Sequence, residues 1–221
     1  YGRGGADDGY SVFALIAALR ALTDTAAPCP RLLALIECSE ESGSPDLPAY
    51  LEALAARIGT PDLVVALDSG CGDYDRLWAT TSLRGLINAV LEVHVLREGV
   101  HSGDAGGIVP DSFRLATQLL ARIEDPAAGR VLLPAAQAPL PPALDAQHRH
   151  AAQVLGDAVW QRYPWVTGAG PTHTDGAALL RARAWDAALA VTGADGLPST
   201  ARAGNVLRTH TALKLSMRLP P

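Results

Sequence analysis

The tightest constraint on the fold lies in the order of segments between Tyr1 and Leu67. A Gly-rich turn, Tyr1 to Asp8, leads into Gly9 to Leu22, which is apolar on nearly every side and so predicts a helix buried in a layered domain. Arg31 to Glu37, following Pro28 and Pro30, and Leu63 to Leu67, following Pro61, are short apolar runs of the kind that form inner parallel strands. Between them, Leu47, Tyr50, Leu51, Leu54 and Ile58 recur at helical spacing within Pro45 to Ile58. Turn, helix, strand, helix, strand is the order of an α/β fold built on a parallel sheet.

The texture changes after about Thr81. Leu83 to Arg97 alternates Val90, Glu92, His94 and Leu96 against Leu91, Val93, Val95 and Arg97, which predicts a strand with one more polar face. A helix is expected over Pro110 to Ile123, with Phe113, Leu115, Leu119 and Leu120 turned inward, and a surface linker over the Pro- and Ala-rich Leu132 to Pro142. Helices at Leu144 to Trp160 and Gly176 to Val191 and a closing strand at Thr211 to Leu219 complete the pattern. The expected organisation is two domains, an α/β body over 1–81 and an α+β domain over 82–221.

Composition narrows the function classes. Eighteen basic against 23 acidic residues leave a formal charge of −5, so a polyanion finds no general attraction and nucleic acid is not an expected partner. The three cysteines, Cys29, Cys38 and Cys71, are odd in number and lack the paired spacing of a structural zinc site, which fits a reducing, cytoplasmic setting. The longest apolar run, Val12 to Leu19, is too short to cross a bilayer, so no membrane partner is expected. The chain opens inside a turn with no initiator Met and stops just after a strand, as an internal stretch of a longer protein would.

The chemistry-bearing residues sit where open α/β sheets hold their ligands. Asp7-Asp8, Glu40-Glu41 and Asp68 fall in the first turn or at the C-terminal ends of predicted strands. Each has an ordinary reading: Asp8 as a helix cap, Glu40-Glu41 as a solvated loop, Asp68 as a turn. Carboxylates gathered at one sheet edge repel one another unless cations neutralise them, so their recurrence at equivalent positions points to a metal. Gly2-Arg3-Gly4-Gly5 is a weak phosphate cradle, because Asp7 and Asp8 occupy the place of the anion. His101, flanked by glycines in Gly99-Val100-His101-Ser102-Gly103-Asp104, is placed to meet a ligand, whereas His94 on the strand reads as packed or half-exposed. His148, His150 and His173 read as surface residues, and His210 fits either role. There is no Gly-x-Ser-x-Gly elbow, and Cys38 and Cys71 adjoin acidic residues that discourage a thiolate, so neither serine nor cysteine catalysis is expected.

Taken in order, Tyr1-Gly-Arg-Gly-Gly-Ala-Asp7-Asp8-Gly9, Glu40-Glu41-Ser42-Gly43-Ser44, Leu67-Asp68-Ser69-Gly70 and Gly99-Val100-His101-Ser102-Gly103 resemble the zinc-dependent peptidase family of carnosinase and the cytosolic nonspecific dipeptidases. Carboxypeptidase G, aminoacylase and succinyl-diaminopimelate desuccinylase are wider relatives. The resemblance runs over essentially the whole chain and is loosest between about Leu132 and Thr200. It implies a metal-dependent hydrolase of dipeptides or similar small amides with two zinc ions, or manganese in their place. Asp7 is then the bridging carboxylate, with a cis Asp7–Asp8 peptide; Glu40 is the general base, and Glu41 and Asp68 are terminal ligands. The second domain becomes a lid that mediates homodimerisation and sends His101 to the partner's site to stabilise an oxyanion. Asn205 and Arg208, in Gly204-Asn205-Val206-Leu207-Arg208, resemble the residues that grip the substrate carboxylate.

The family also uses two histidine ligands, one in a His-x-Asp motif and one after the lid. No histidine lies ahead of Asp7, where the family's His-x-Asp motif belongs; the His-x-Asp triplet that is present, His173-Thr174-Asp175, falls in the second domain, and no histidine follows that domain. Carboxylates alone suit a harder ion and bind zinc poorly, so the isolated chain is expected to be inactive. The alternative from another class is a non-catalytic dimerisation or binding module derived from such a peptidase.

Overall fold

The computed structural model describes every residue except Tyr1, Ala6, Ala27 and Ser69. The chain is mixed α/β and divides into two compact units, Tyr1–Cys71 and Gly72–Pro221. Among the described residues, no helix is long and apolar enough to cross a membrane.

The first unit holds α1 (Ser11–Asp24), α2 (Leu47–Ala53) and α3 (Ala55–Ile58), with single 3-10 turns at Arg3–Gly5 and Glu40–Ser42. The turn ahead of α1 is tight: the Gly9 N–H donates to the Gly4 carbonyl at 2.6 Å. A Cβ on Gly9 would lie only 2.6 Å from that oxygen, so glycine is required there. At the far end of α1 the Thr23 and Thr25 hydroxyls fold back and donate to the Leu19 and Ala21 carbonyls, the latter also accepting from the Thr25 N–H at 3.1 Å. The expected helix over Pro45 to Ile58 is broken at Leu54, whose backbone leaves helical geometry (φ −96°, ψ 0°) between α2 and α3.

Two expectations for this unit are corrected. The apolar runs Arg31 to Glu37 and Leu63 to Leu67 belong to no strand, because neither lies in a ladder with a neighbour that would complete its hydrogen bonds. The expected parallel sheet is therefore absent among the described residues. Helix α1 is not buried either: Phe13 is 73% exposed, and no described residue of the unit is buried. An apolar helix is buried only where a second layer covers it.

The second unit contains the buried core. Its elements are β1 (Gly85–His94), β2 (Val100–His101), α4 (Ser102–Ala105), α5 (Ser112–Leu120), β3 (Glu124–Asp125), β4 (Arg130–Val131), α6 (Pro142–Leu155), α7 (Ala158–Gln161), α8 (Gly176–Ala184), β5 (Ala188–Asp195), β6 (Val206–Leu207) and β7 (His210–Leu219). Strands β1, β7 and β5 form an antiparallel sheet with β7 in the centre. Alternation along β7 puts Leu213 and Leu215 on the buried face, against Ala116 of α5 and the half-buried Leu91, Val93, Leu120 and Leu189. Val131, Ala136 and Ala187 form a second buried cluster with Leu189, Met217 and Leu219. Ser112, at the start of α5, and Thr211, on β7, share a buried hydrogen bond of 2.8 Å between their hydroxyls.

Strand β5 carries a bulge. Its register on β7 runs evenly from Ala188 to Val191 and resumes at Gly193, leaving Thr192 without an opposite residue. The helix expected from Gly176 to Val191 ends as α8 at Ala184, where Arg84 donates to the carbonyls of Ala182 and Asp186, and the chain turns into β5.

Candidate functional site

Glu40 is the electrostatic centre of the first unit. It opens the 3-10 turn Glu40–Ser42, which closes on Gly43 at φ +90°, a left-handed position suited to glycine. Its side chain is exposed, yet its carboxyl is held above the ordinary carboxylate range. Crowding that thins its hydration is the first cause, followed by the charges of Asp68, Glu41, Glu37 and Asp7 in that order. Residues separate in the chain thus act on one carboxyl. Glu37 was missed from sequence; its place three residues before Glu40 was the available signal, and it is held by the Ser39 hydroxyl, which donates to its Oε1 at 3.1 Å.

The Asp7–Asp8 peptide is cis. Asp8 does not cap α1: the capping position is Tyr10, with no side-chain hydrogen bond, and the Asp8 main-chain carbonyl accepts from Ser11 at 2.9 Å. The Tyr10 hydroxyl reaches the Leu67 carbonyl at 3.5 Å, beside Asp68. Among the described residues, no three His, Cys, Asp or Glu side chains are grouped so as to hold a metal ion. Asp7, Glu41 and Asp68 as they stand therefore make no closed metal cage.

In the second unit a short ladder joins three further residues named from the sequence. Strands β2 and β6 pair antiparallel, with Val100 opposite Leu207 and His101 opposite Val206. Asn205 follows directly, its carbonyl accepting from the Ser102 N–H at 2.9 Å, and Arg208 lies on the other side of the same pair. The His101 side chain is exposed, and its Nδ1 accepts from the Gly103 N–H at 3.1 Å. His94 is engaged elsewhere, stacked on His210 with ring centroids 5.2 Å apart and its Nε2 3.2 Å from Glu92 Oε2. His210 Nδ1 in turn lies 2.9 Å from the Thr209 hydroxyl. His148 is partly buried on α6, not a surface residue, and loss of hydration holds its pKa below the usual imidazole value.

Several solved structures are similar in fold. Human carnosine dipeptidase 1 is similar over the whole chain, with a TM-score of 0.64 and 24% identity, the match covering 46% of its own length. The Saccharomyces cerevisiae di-peptidase Dug1p also matches 100% of the chain, at TM-score 0.55 and 22% identity over 46% of its length. The M20 family metallo-carboxypeptidase Sso-CP2 from Sulfolobus solfataricus matches 84% of the chain and 41% of its own, at TM-score 0.60 and 18% identity. The fold of the matched residues is the one these three solved structures share. The chain belongs to peptidase family M20/M25/M40, whose description matches residues 1–212. A cysteinylglycine-S-conjugate dipeptidase from Corynebacterium striatum is 34% identical over 120 residues, which is 54% of this chain and 26% of that protein. The chain thus spans about half the length of the solved relatives and a smaller share of the curated one.

Proposed function

We propose that this chain supplies the carboxylate side of a metal-dependent amidase centre, together with its lid, in a cytoplasmic enzyme that hydrolyses dipeptides or similar small amides. The observation that carries the reading is the repulsion by Asp68, Glu41 and Asp7 that helps raise the Glu40 carboxyl, in a chain of this family. Glu40 is the general base: a carboxyl with a raised pKa is suited to take a proton from water and return it to the departing amine. Asp7, Glu41 and Asp68 are the carboxylates that would hold a metal ion there. The chemistry that zinc, as two ions, or manganese would supply at these carboxylates is a more acidic water and a polarised scissile carbonyl.

His101 offers a hydrogen bond to the oxyanion, and Asn205 and Arg208, tied to it through the β2–β6 ladder, grip the substrate carboxylate. In the homodimer formed through the second unit, His101 serves the partner's site. A monomer by light scattering at working concentration removes that part of the reading.

The candidate donors Asp7, Glu41 and Asp68 are carboxylates, and among the described residues they form no closed cage, so the expected outcome for the purified chain with added zinc is no turnover. The same observation favours the second reading, a non-catalytic dimerisation or binding module. The deciding experiment is Glu40→Gln in the longest form of the protein that carries this segment, assayed on a dipeptide panel with metal content measured. Loss of turnover with metal retained supports Glu40 as base, and undiminished hydrolysis refutes it. Turnover by the isolated chain near that of full-length relatives overturns the expected inactivity, and no turnover by any form leaves the module.

A further inference from the structure

A histidine that donates to a substrate oxygen must carry its proton on the nitrogen that faces the substrate. We propose that Gly103 settles this for His101: its main-chain N–H holds the ring in the Nε2–H tautomer, which makes Gly103 a positioning residue. The inference rests on the role proposed for His101 and deepens it.

The Gly103 N–H lies 3.1 Å from His101 Nδ1. A main-chain N–H can only donate, so Nδ1 must present its lone pair, and the one proton of the neutral ring is left for Nε2. The arrangement is built by the backbone. His101 is the N-cap of α4 in extended conformation (φ −66°, ψ 125°), and its ring nitrogen stands where a capping oxygen usually accepts. On the other side, the pairing of His101 with Val206 and the Ser102–Asn205 hydrogen bond hold the main chain that carries the ring.

Space explains why residue 103 is glycine. Gly103 is not among the glycines at positive φ, so backbone freedom is not what it contributes. A Cβ there would stand 2.9 Å from His101 Cε1 and 3.0 Å from Nδ1, and the ring would have to move off the amide. His210 provides an internal contrast. Its Nδ1 faces the Thr209 hydroxyl, which can donate or accept, so that contact does not select a tautomer.

The test is long-range proton–nitrogen correlation NMR on the full chain labelled with 15N-histidine, at about pH 8.5, where imidazoles of ordinary pKa are neutral. The H101Q variant identifies the His101 signals by their loss. The expected result is an unprotonated-type shift for Nδ1 and a protonated-type shift for Nε2, with Gly103→Ala moving both toward a common average. An averaged pair or an Nδ1–H pattern in the unsubstituted chain overturns the proposal, as does an unchanged pattern in Gly103→Ala. If Gly103→Ala does not fold, the unsubstituted chain alone decides. The readout does not depend on turnover: full kcat in the H101Q variant of the longer enzyme refutes the role of His101 and leaves the tautomer assignment intact.

Discussion

Ser112 and Thr211 offer a quantitative test of how the second unit is assembled. Ser112 is 1% exposed and Thr211 0%, and their hydroxyls meet at 2.8 Å, joining the start of α5 to the central strand β7. Thr211→Val keeps the side-chain shape and deletes one hydroxyl, stranding the other where water does not reach. A buried polar group left unpaired costs about 1–3 kcal/mol, and Ser112→Ala costs a similar amount for the same reason. The double variant removes both polar groups, so it costs no more than either single change. The resulting coupling is at least about 1 kcal/mol, roughly a five-fold change in the ratio of folded to unfolded chain. Urea unfolding followed by tryptophan fluorescence measures it, since Trp78, Trp160, Trp165 and Trp185 all lie in the second unit. Strict additivity of the two single costs would refute the claim that this hydrogen bond is what either substitution removes.

Three further outcomes are expected. The Glu40 carboxyl titrates above the ordinary glutamate range by carbon NMR, and Asp68→Asn lowers its midpoint more than Asp7→Asn, since Asp68 repels it more strongly; the reverse order would contradict that reading. Because the folded-state pKa is raised, the associated stability is present below the unfolded value and lost as pH rises through the folded one, so Glu40→Gln flattens the pH dependence of amide protection in the first unit. Asp175→Ala, which removes the carboxylate that accepts from the Ala178 N–H at 2.8 Å, destabilises α8 by about 1 kcal/mol, measured as a shift in the urea midpoint.

Local pattern carried much of the second unit and less of the first. Strand β1 was legible because Leu91 and Val93 alternate with Glu92 and His94 between a half-covered and an open face, a signal the pleat imposes directly. Strand β5 was not: Ala188-Leu189-Ala190-Val191 has no polar alternation, follows a helix without a glycine stop, and takes its conformation from pairing with β7. In the first unit, apolar composition at Arg31 to Glu37 and Leu63 to Leu67 suggested strands, but a strand exists only with a neighbour, which composition cannot supply. At the candidate site, Asp7, Glu40, Glu41 and Asp68 were visible as residue types at segment ends. Glu37 and the Gly103 amide were not, since one acts through charge across a turn and the other through its main chain.

The bulge in β5 has a consequence for how the chain tolerates changes in length. Removing one residue from a strand turns every side chain beyond the cut to the opposite face. Thr192 is different: it is a spare link, and its loss would bring the Ala188–Val191 and Gly193–Asp195 stretches into one continuous register on β7 with inward and outward residues unchanged. A shorter relative lacking a residue at this place could keep the same sheet.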